Sequence, residues 1–113
     1  MEKAEKDKKI RKEQRRLERI FESMDENKLS VVRALIARAA FITVSLEELE
    51  QDLSEDGWIE EYKNGAAQSG LKKSAAADVH ISLTKNLNAI IKQLLEVVPE
   101  SQRESKLEKM MIR

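Results

Sequence analysis

The residues that break helices are confined to two places in this chain, which leaves most of its 113 residues to helix. The three glycines are Gly57, Gly65 and Gly70, and the single proline is Pro99. Gly57 to Ser74 also holds the sole tryptophan, Trp58, and the sole tyrosine, Tyr62. Glycine and proline are the strongest local punctuation a chain has. A connector that gathers rare residues between long helices is where recognition or assembly concentrates, because loops on rigid scaffolds carry function. A plain helix-to-helix linker is the competing reading.

Helical spacing of apolar residues sets the elements. Ile10, Leu17 and Met24 recur every seven residues and predict a first helix from about Lys6 to Met24. Its first half is almost entirely charged and is expected to fray without a partner. Asp25 or Asn27 is placed to cap a second helix, although no glycine or proline forces a break there. That helix, from about Lys28 to Ser54, carries a broad stripe of Leu29, Val32, Leu35, Ile36, Ala39, Ile42, Leu46, Leu49 and Leu53. Ala39 and Ala40 would permit a close helix approach. Gly57 is placed to end the helix in a left-handed cap. Trp58 and Tyr62 are expected to fold back over its end, and Asn64-Gly65 reads as a turn. Ser74 is a candidate N-cap for a third helix, from about Ala75 to Val98, with Val79, Leu83, Leu87, Ile90, Leu94 and Val97 on its core face. Pro99 stops it. Ser101-Gln102-Arg103-Glu104 has capping-box spacing for a short final helix.

The expected fold is all-α. An antiparallel helical hairpin (28–99, connector 57–74) is flanked by a basic N-terminal helix (1–27), packed at one end, and a short C-terminal helix (100–113). Two long helices cannot cover such broad stripes alone, so self-association is expected through Leu35, Ile42, Leu46, Leu49, Leu87, Ile90 and Leu94. Only 4% of the residues are aromatic, which suits packing through aliphatic side chains.

A formal net charge of zero conceals strong segregation. Residues 1–19 carry nine Lys and Arg against five Asp and Glu. Residues 44–62 carry eight acids and no base, and residues 63–95 carry five lysines and one aspartate. Blocks of opposite sign suggest contacts between subunits, or one face built for a polyanion. The basic residues are Lys3, Lys6, Lys8, Lys9, Arg11, Lys12, Arg15, Arg16 and Arg19. They form a candidate DNA-binding arm diluted by interleaved acids. Lys72 and Lys73, just before the third helix, are a second candidate site, because helix N-termini favour phosphate. Any one block read alone is a solvated helix face.

Catalytic patterns are missing. His80 is the only histidine and there is no cysteine, so neither a zinc cluster nor thiolate chemistry is available. The glycines do not form a phosphate loop, and the acidic run from Glu47 to Asp56 lacks the glycine of a calcium loop. The expectation is a protein that is not an enzyme, with no metal and no cofactor. No apolar run of about 18 residues is apparent, and the N-terminus lacks an apolar signal segment, so neither a membrane partner nor secretion is expected.

From Phe41 to Pro99 the chain resembles the small terminase subunits of tailed bacteriophages and prophages of Gram-positive hosts. The resemblance is carried by Ala39-Ala40-Phe41, Leu46-Glu47-Glu48-Leu49, Glu60-Glu61-Tyr62-Lys63-Asn64-Gly65, Gln68-Ser69-Gly70, Lys72-Lys73-Ser74 and Lys92-Gln93-Leu94-Leu95. One departure is Ser74-Ala75-Ala76-Ala77 with His80, where the family often has a proline and an aromatic. The resemblance implies a non-catalytic, oligomeric, commonly ring-shaped component of the genome-packaging motor. Its partners would be duplex phage DNA and the large terminase subunit, in the host cytoplasm. The alternative is a helical scaffold or adaptor that binds only other proteins.

Overall fold

The structure, a computed structural model, describes residues 1–63, 65 and 69–112. Four helices account for most of them: α1 (Lys3–Ile20), α2 (Glu26–Asp56), α3 (Ala75–Val97) and α4 (Glu100–Met111). A two-stranded antiparallel ribbon, β1 (Ile59–Lys63) and β2 (Ser69–Lys73), joins α2 to α3. The molecule is elongated, 63 × 31 × 22 Å. Its radius of gyration of 17.9 Å exceeds the roughly 13 Å of a compact chain of this length.

The helix boundaries follow local chemistry. α1 stops at Ile20, one turn short of the expected Met24, and a turn leads into α2. Of the two candidate caps, Asp25 is the one used: its carboxylate accepts the Lys28 N–H at 3.1 Å. Ser74 caps α3 by accepting the Ala77 N–H at 3.1 Å. Ser101 does not cap α4. The helix already starts at Glu100, with Pro99 in the cap position and its carbonyl accepting from Gln102 N–H. The reason is that Pro99 supplies a pre-set backbone angle and has no N–H to satisfy. At the end of α2, Gly57 has φ 87° and ψ 162°, which is not the left-handed helical well but an extended region almost restricted to glycine.

α1 runs antiparallel alongside α2 rather than at one end of it. At one end Lys6 pairs with Glu48 at 3.2 Å and its ammonium lies 5.1 Å from the centre of the Phe41 ring. At the other, Phe21 is fully buried with Val32 and Ile36. All four helices feed one core: Leu17 and Phe21, then Val32, Ile36 and Ala39, then Leu94 with Val98, then Met110. As expected, α2 and α3 do not cover their stripes alone, and α1 and α4 cover part of the remainder. α2 also contains a stretch whose length and hydropathy would suit a bilayer, contrary to the sequence expectation. Here its Val32, Ile36, Ala40 and Val44 are turned into the protein.

Helix C-termini are closed by cations from neighbouring helices. The Arg16 guanidinium donates to the carbonyls of Lys109, Met110 and Ile112 at 2.9–3.2 Å, capping α4. The Lys106 ammonium donates to the Ile20 carbonyl at 2.6 Å, capping α1 in return. Arg103 donates to the carbonyls of Leu95 and Val98, capping α3. Each meets carbonyls at or just past a helix C-terminus, at the negative end of its dipole. Arg16 is itself held by the buried carboxylate of Glu13, with Nε 2.6 Å from Oε1.

Two stability outcomes follow. Arg16→Ala uncaps α4 and removes the guanidinium from a buried carboxylate, so urea denaturation should show a loss of about 3 kcal/mol. Gly57→Ala forces a side chain into a glycine-only conformation and should cost about 1–3 kcal/mol by the same measurement.

Candidate nucleic-acid interface

The nine cations of α1 do not act alike. Ile10, Glu13 and Leu17 face the bundle, with Glu13 and Leu17 buried. Lys8, Arg11, Lys12, Arg15 and Arg19, spaced three or four residues apart, share the opposite face and are all exposed. Three acids of the helix are engaged. Glu13 is buried beneath Arg16, Glu18 accepts from Gln14, and Glu5 pairs with Lys9 at 3.6 Å. What reads in the sequence as a basic arm diluted by acids thus gathers five exposed cations on one face, with Glu18 and Glu22 beside Arg15 and Arg19 at its end. Its eleven residue steps span about 17 Å at the helical rise, which is about five steps of a DNA strand at 3.4 Å each.

Among the described residues, Lys8, Arg11 and Lys12 have no carboxylate partner. Arg15 is engaged only through its backbone carbonyl, which receives the Arg19 Nε at 3.3 Å. Lys3 is exposed at the start of the helix, Lys6 is spent on Glu48, and Lys9 lies at the flank with Glu5. Arg16 leaves the candidate set, because its guanidinium is committed to Glu13 and to three carbonyls of the α4 terminus. Arg33, which the sequence reading did not single out, lines a cleft of about 510 Å³ with Arg15 and Arg19 and with Glu18 and Glu22. The signal was an isolated arginine in an apolar stripe. It gains meaning only once α1 is laid against α2.

Lys72 and Lys73 are placed differently. As neighbours on β2 they point to opposite faces of the ribbon, so they do not form one cationic pair. Lys72 pairs with Glu60 across the ribbon at 3.3 Å, and Lys73 pairs with Asp78 in the first turn of α3 at 3.4 Å. The acid that favours the α3 N-terminus is thus already supplied from within the chain. Both pairs are exposed, and pairs of that kind contribute under about 1 kcal/mol.

The expected self-association residues are covered by the chain itself to different degrees. Leu94 is fully enclosed, and Ile42 and Leu46 are buried. Leu35, Leu49, Leu87 and Ile90 are half-buried. Leu35, Ile42 and Ile90 line an open groove between α2 and α3 of about 850 Å³. Leu94 offers no surface to a partner, because Leu17, Val98 and Met110 belong to the core around it.

The connector is the largest surprise. The Trp58 ring meets His80 of α3 edge-on, 5.2 Å between centroids. His80 Nε2 in turn lies 3.9 Å from Glu50 of α2, so the pair marks where the two helices meet at the base of the ribbon. The Tyr62 ring lies over Gly70 so closely that a Cβ there would sit 2.8 Å from it. Asn64, Ala66, Ala67 and Gln68, which carry the expected turn and part of the family-like motif, lie outside the described residues. Among the described residues no three His, Asp or Glu side chains gather in a way that would hold a metal ion.

No known protein family matches the chain, and no curated protein or solved structure matches it.

Because Lys8, Arg11, Lys12 and Arg15 are exposed, replacing them together by Ala should leave stability nearly unchanged. Each exposed substitution contributes within about 0.5 kcal/mol, and a thermal melt by circular dichroism checks it.

Proposed function

We propose that this protein is a non-catalytic DNA-binding subunit of a phage genome-packaging motor, a small terminase subunit. It would work as an oligomer alongside a large subunit that carries the enzymatic steps. The observation that carries the DNA reading is the row of five exposed cations on the outer face of α1, from Lys8 to Arg19. Flexible cations without partners are what phosphate neutralisation needs, and they position a duplex without reading its sequence. The packaging role is supported by the resemblance of the segment from Phe41 to Pro99 to small terminase subunits.

On this reading α1 lies along the sugar-phosphate backbone of a duplex, Lys8 to Arg15 contact successive phosphates, and Arg19 and Arg33 extend the contact across the adjoining cleft. Each chain binds weakly. Several chains in one assembly bind tightly, because the second contact forms at high effective concentration. The acidic half of α2, with Glu50, Asp52, Glu55 and Asp56 exposed, offers a surface to a basic protein. That acidic surface keeps the adaptor reading as the alternative.

Salt separates the two. Fluorescence anisotropy with a labelled duplex over a range of salt should show steep weakening, with a slope of about −0.9 per phosphate neutralised. Replacing Lys8, Arg11, Lys12 and Arg15 by Ala should flatten that slope by about 3 to 4 units, while Lys72→Ala with Lys73→Ala leaves it near the parent value. A fourfold variant that binds with the parent's slope, or a parent with no salt-dependent binding, favours the adaptor.

A further inference from the structure

Beside the contact between α1 and α4 lies a small cavity of about 190 Å³, to which all four helices contribute. Its walls are Leu17 of α1, Ala39 of α2, Leu87 and Ile91 of α3, and Met110 and Met111 of α4. Leu17, Ala39 and Met110 are buried, Leu87 and Ile91 are half-buried and Met111 is exposed. The cavity is thus walled by the core and opens towards solvent at Met111. A protein interior leaves few gaps larger than a water molecule. Ala39 leaves room for this one, since it supplies a single methyl where Val32 and Ile36 fill the core one and two turns earlier on the same helix.

The polar side chains of the lining are Glu13, Arg16 and Thr43. Arg16 donates from Nε and Nη2 to the two Glu13 oxygens, at 2.6 and 3.1 Å. It donates from Nη1 to the carbonyls of Lys109 and Ile112, and from Nη2 to that of Met110. A guanidinium has five N–H groups, and these contacts use them all. An anionic ligand would therefore find no donor at Arg16, and the buried Glu13 carboxylate already holds its counter-ion. Thr43 contributes the one uncharged polar side chain of the lining. Taking an unpaired charge out of water into such a site is costly, so the lining selects a neutral, mainly apolar molecule.

Size and sulfur narrow the class further. An apolar cavity of about 150 Å³ is large enough to take benzene. Two methionines in one wall offer flexible, polarisable side chains that make favourable contacts with aromatic rings. We propose that this cavity is a binding site for a small neutral aromatic molecule, of the size of benzene to indole. Because Met110 and Met111 form one wall, the ring binds only with α4 in place, and its binding holds α4 against α1. The site goes beyond the DNA reading and does not depend on it, since none of its walls belongs to the exposed cations of α1.

The test uses the full chain with its methionines labelled at the methyl carbon, titrated with indole and followed by NMR. Met110 and Met111 line the cavity, while Met1 and Met24 lie outside it and serve as internal controls. The Met110 and Met111 signals should shift and saturate while the other two stay in place, and the thermal midpoint should rise with indole concentration, as linkage requires. Benzoate, which has the same ring with a charge attached, should bind at least tenfold more weakly. Ala39→Leu fills the cavity and should abolish the indole shifts. Should that variant not fold, Thr43→Leu, which fills the cavity from its polar side, takes its place. No saturable shift at Met110 and Met111 overturns the proposal, and so does an equal shift at all four methionines. Benzoate binding as tightly as indole, or undiminished indole binding in the folded filled variant, overturns it too. No readout involves DNA, so failure here and failure of the DNA reading are seen separately.

Discussion

Arg16 holds the arrangement together. Its guanidinium rests on the buried Glu13 carboxylate and reaches three carbonyls at the end of α4, while Lys106 of α4 reaches back to the last carbonyl of α1. The two helices thus cap each other. A basic, highly charged helix such as α1 has little apolar surface with which to hold its place. These directed bonds fix its rotation as well as its position. With Leu17 and Phe21 turned to the core, the face from Lys8 to Arg19 can only look outward.

The zero net charge is best understood from that geometry. Some cations are structural: Arg16, Arg103 and Lys106 close helix ends, and Lys6 ties α1 to Glu48. Others, led by Lys8, Arg11, Lys12 and Arg15, are exposed and have no carboxylate partner among the described residues. The acids divide in the same way, with Glu13 buried and Glu48 shared between Lys6 and the N-terminal amine. A chain that is neutral in total thus presents a cationic face on α1 and an acidic one on the far half of α2. Faces of that kind steer partners by sign and respond to salt.

Helix existence was legible because apolar spacing and capping residues state it directly: the α2 stripe, Asp25 and Ser74 behave as their chemistry demands. The ribbon was not legible. Its strands are exposed on both faces, so they lack the apolar–polar alternation that marks a half-buried strand, and Glu60-Glu61 and Lys72-Lys73 are poor strand formers. The extent of the core was also hidden. That α1 and α4 complete it depends on Arg16, Arg103 and Lys106 reaching carbonyls 5 to 96 residues away, which no local pattern encodes. For the same reason Arg16 was legible as a cation but not as a cap, and Arg33 passed unnoticed until two helices framed one cleft.

Lysine reactivity tests the central claim most directly, because it compares the two cationic regions within one molecule. Amine acylation, read by peptide mass spectrometry, is carried out with and without saturating duplex DNA. If the outer face of α1 is the contact, Lys8 and Lys12 lose reactivity on DNA binding while Lys72 and Lys73 keep theirs. Protection of Lys72 and Lys73 with Lys8 and Lys12 still fully reactive would contradict it.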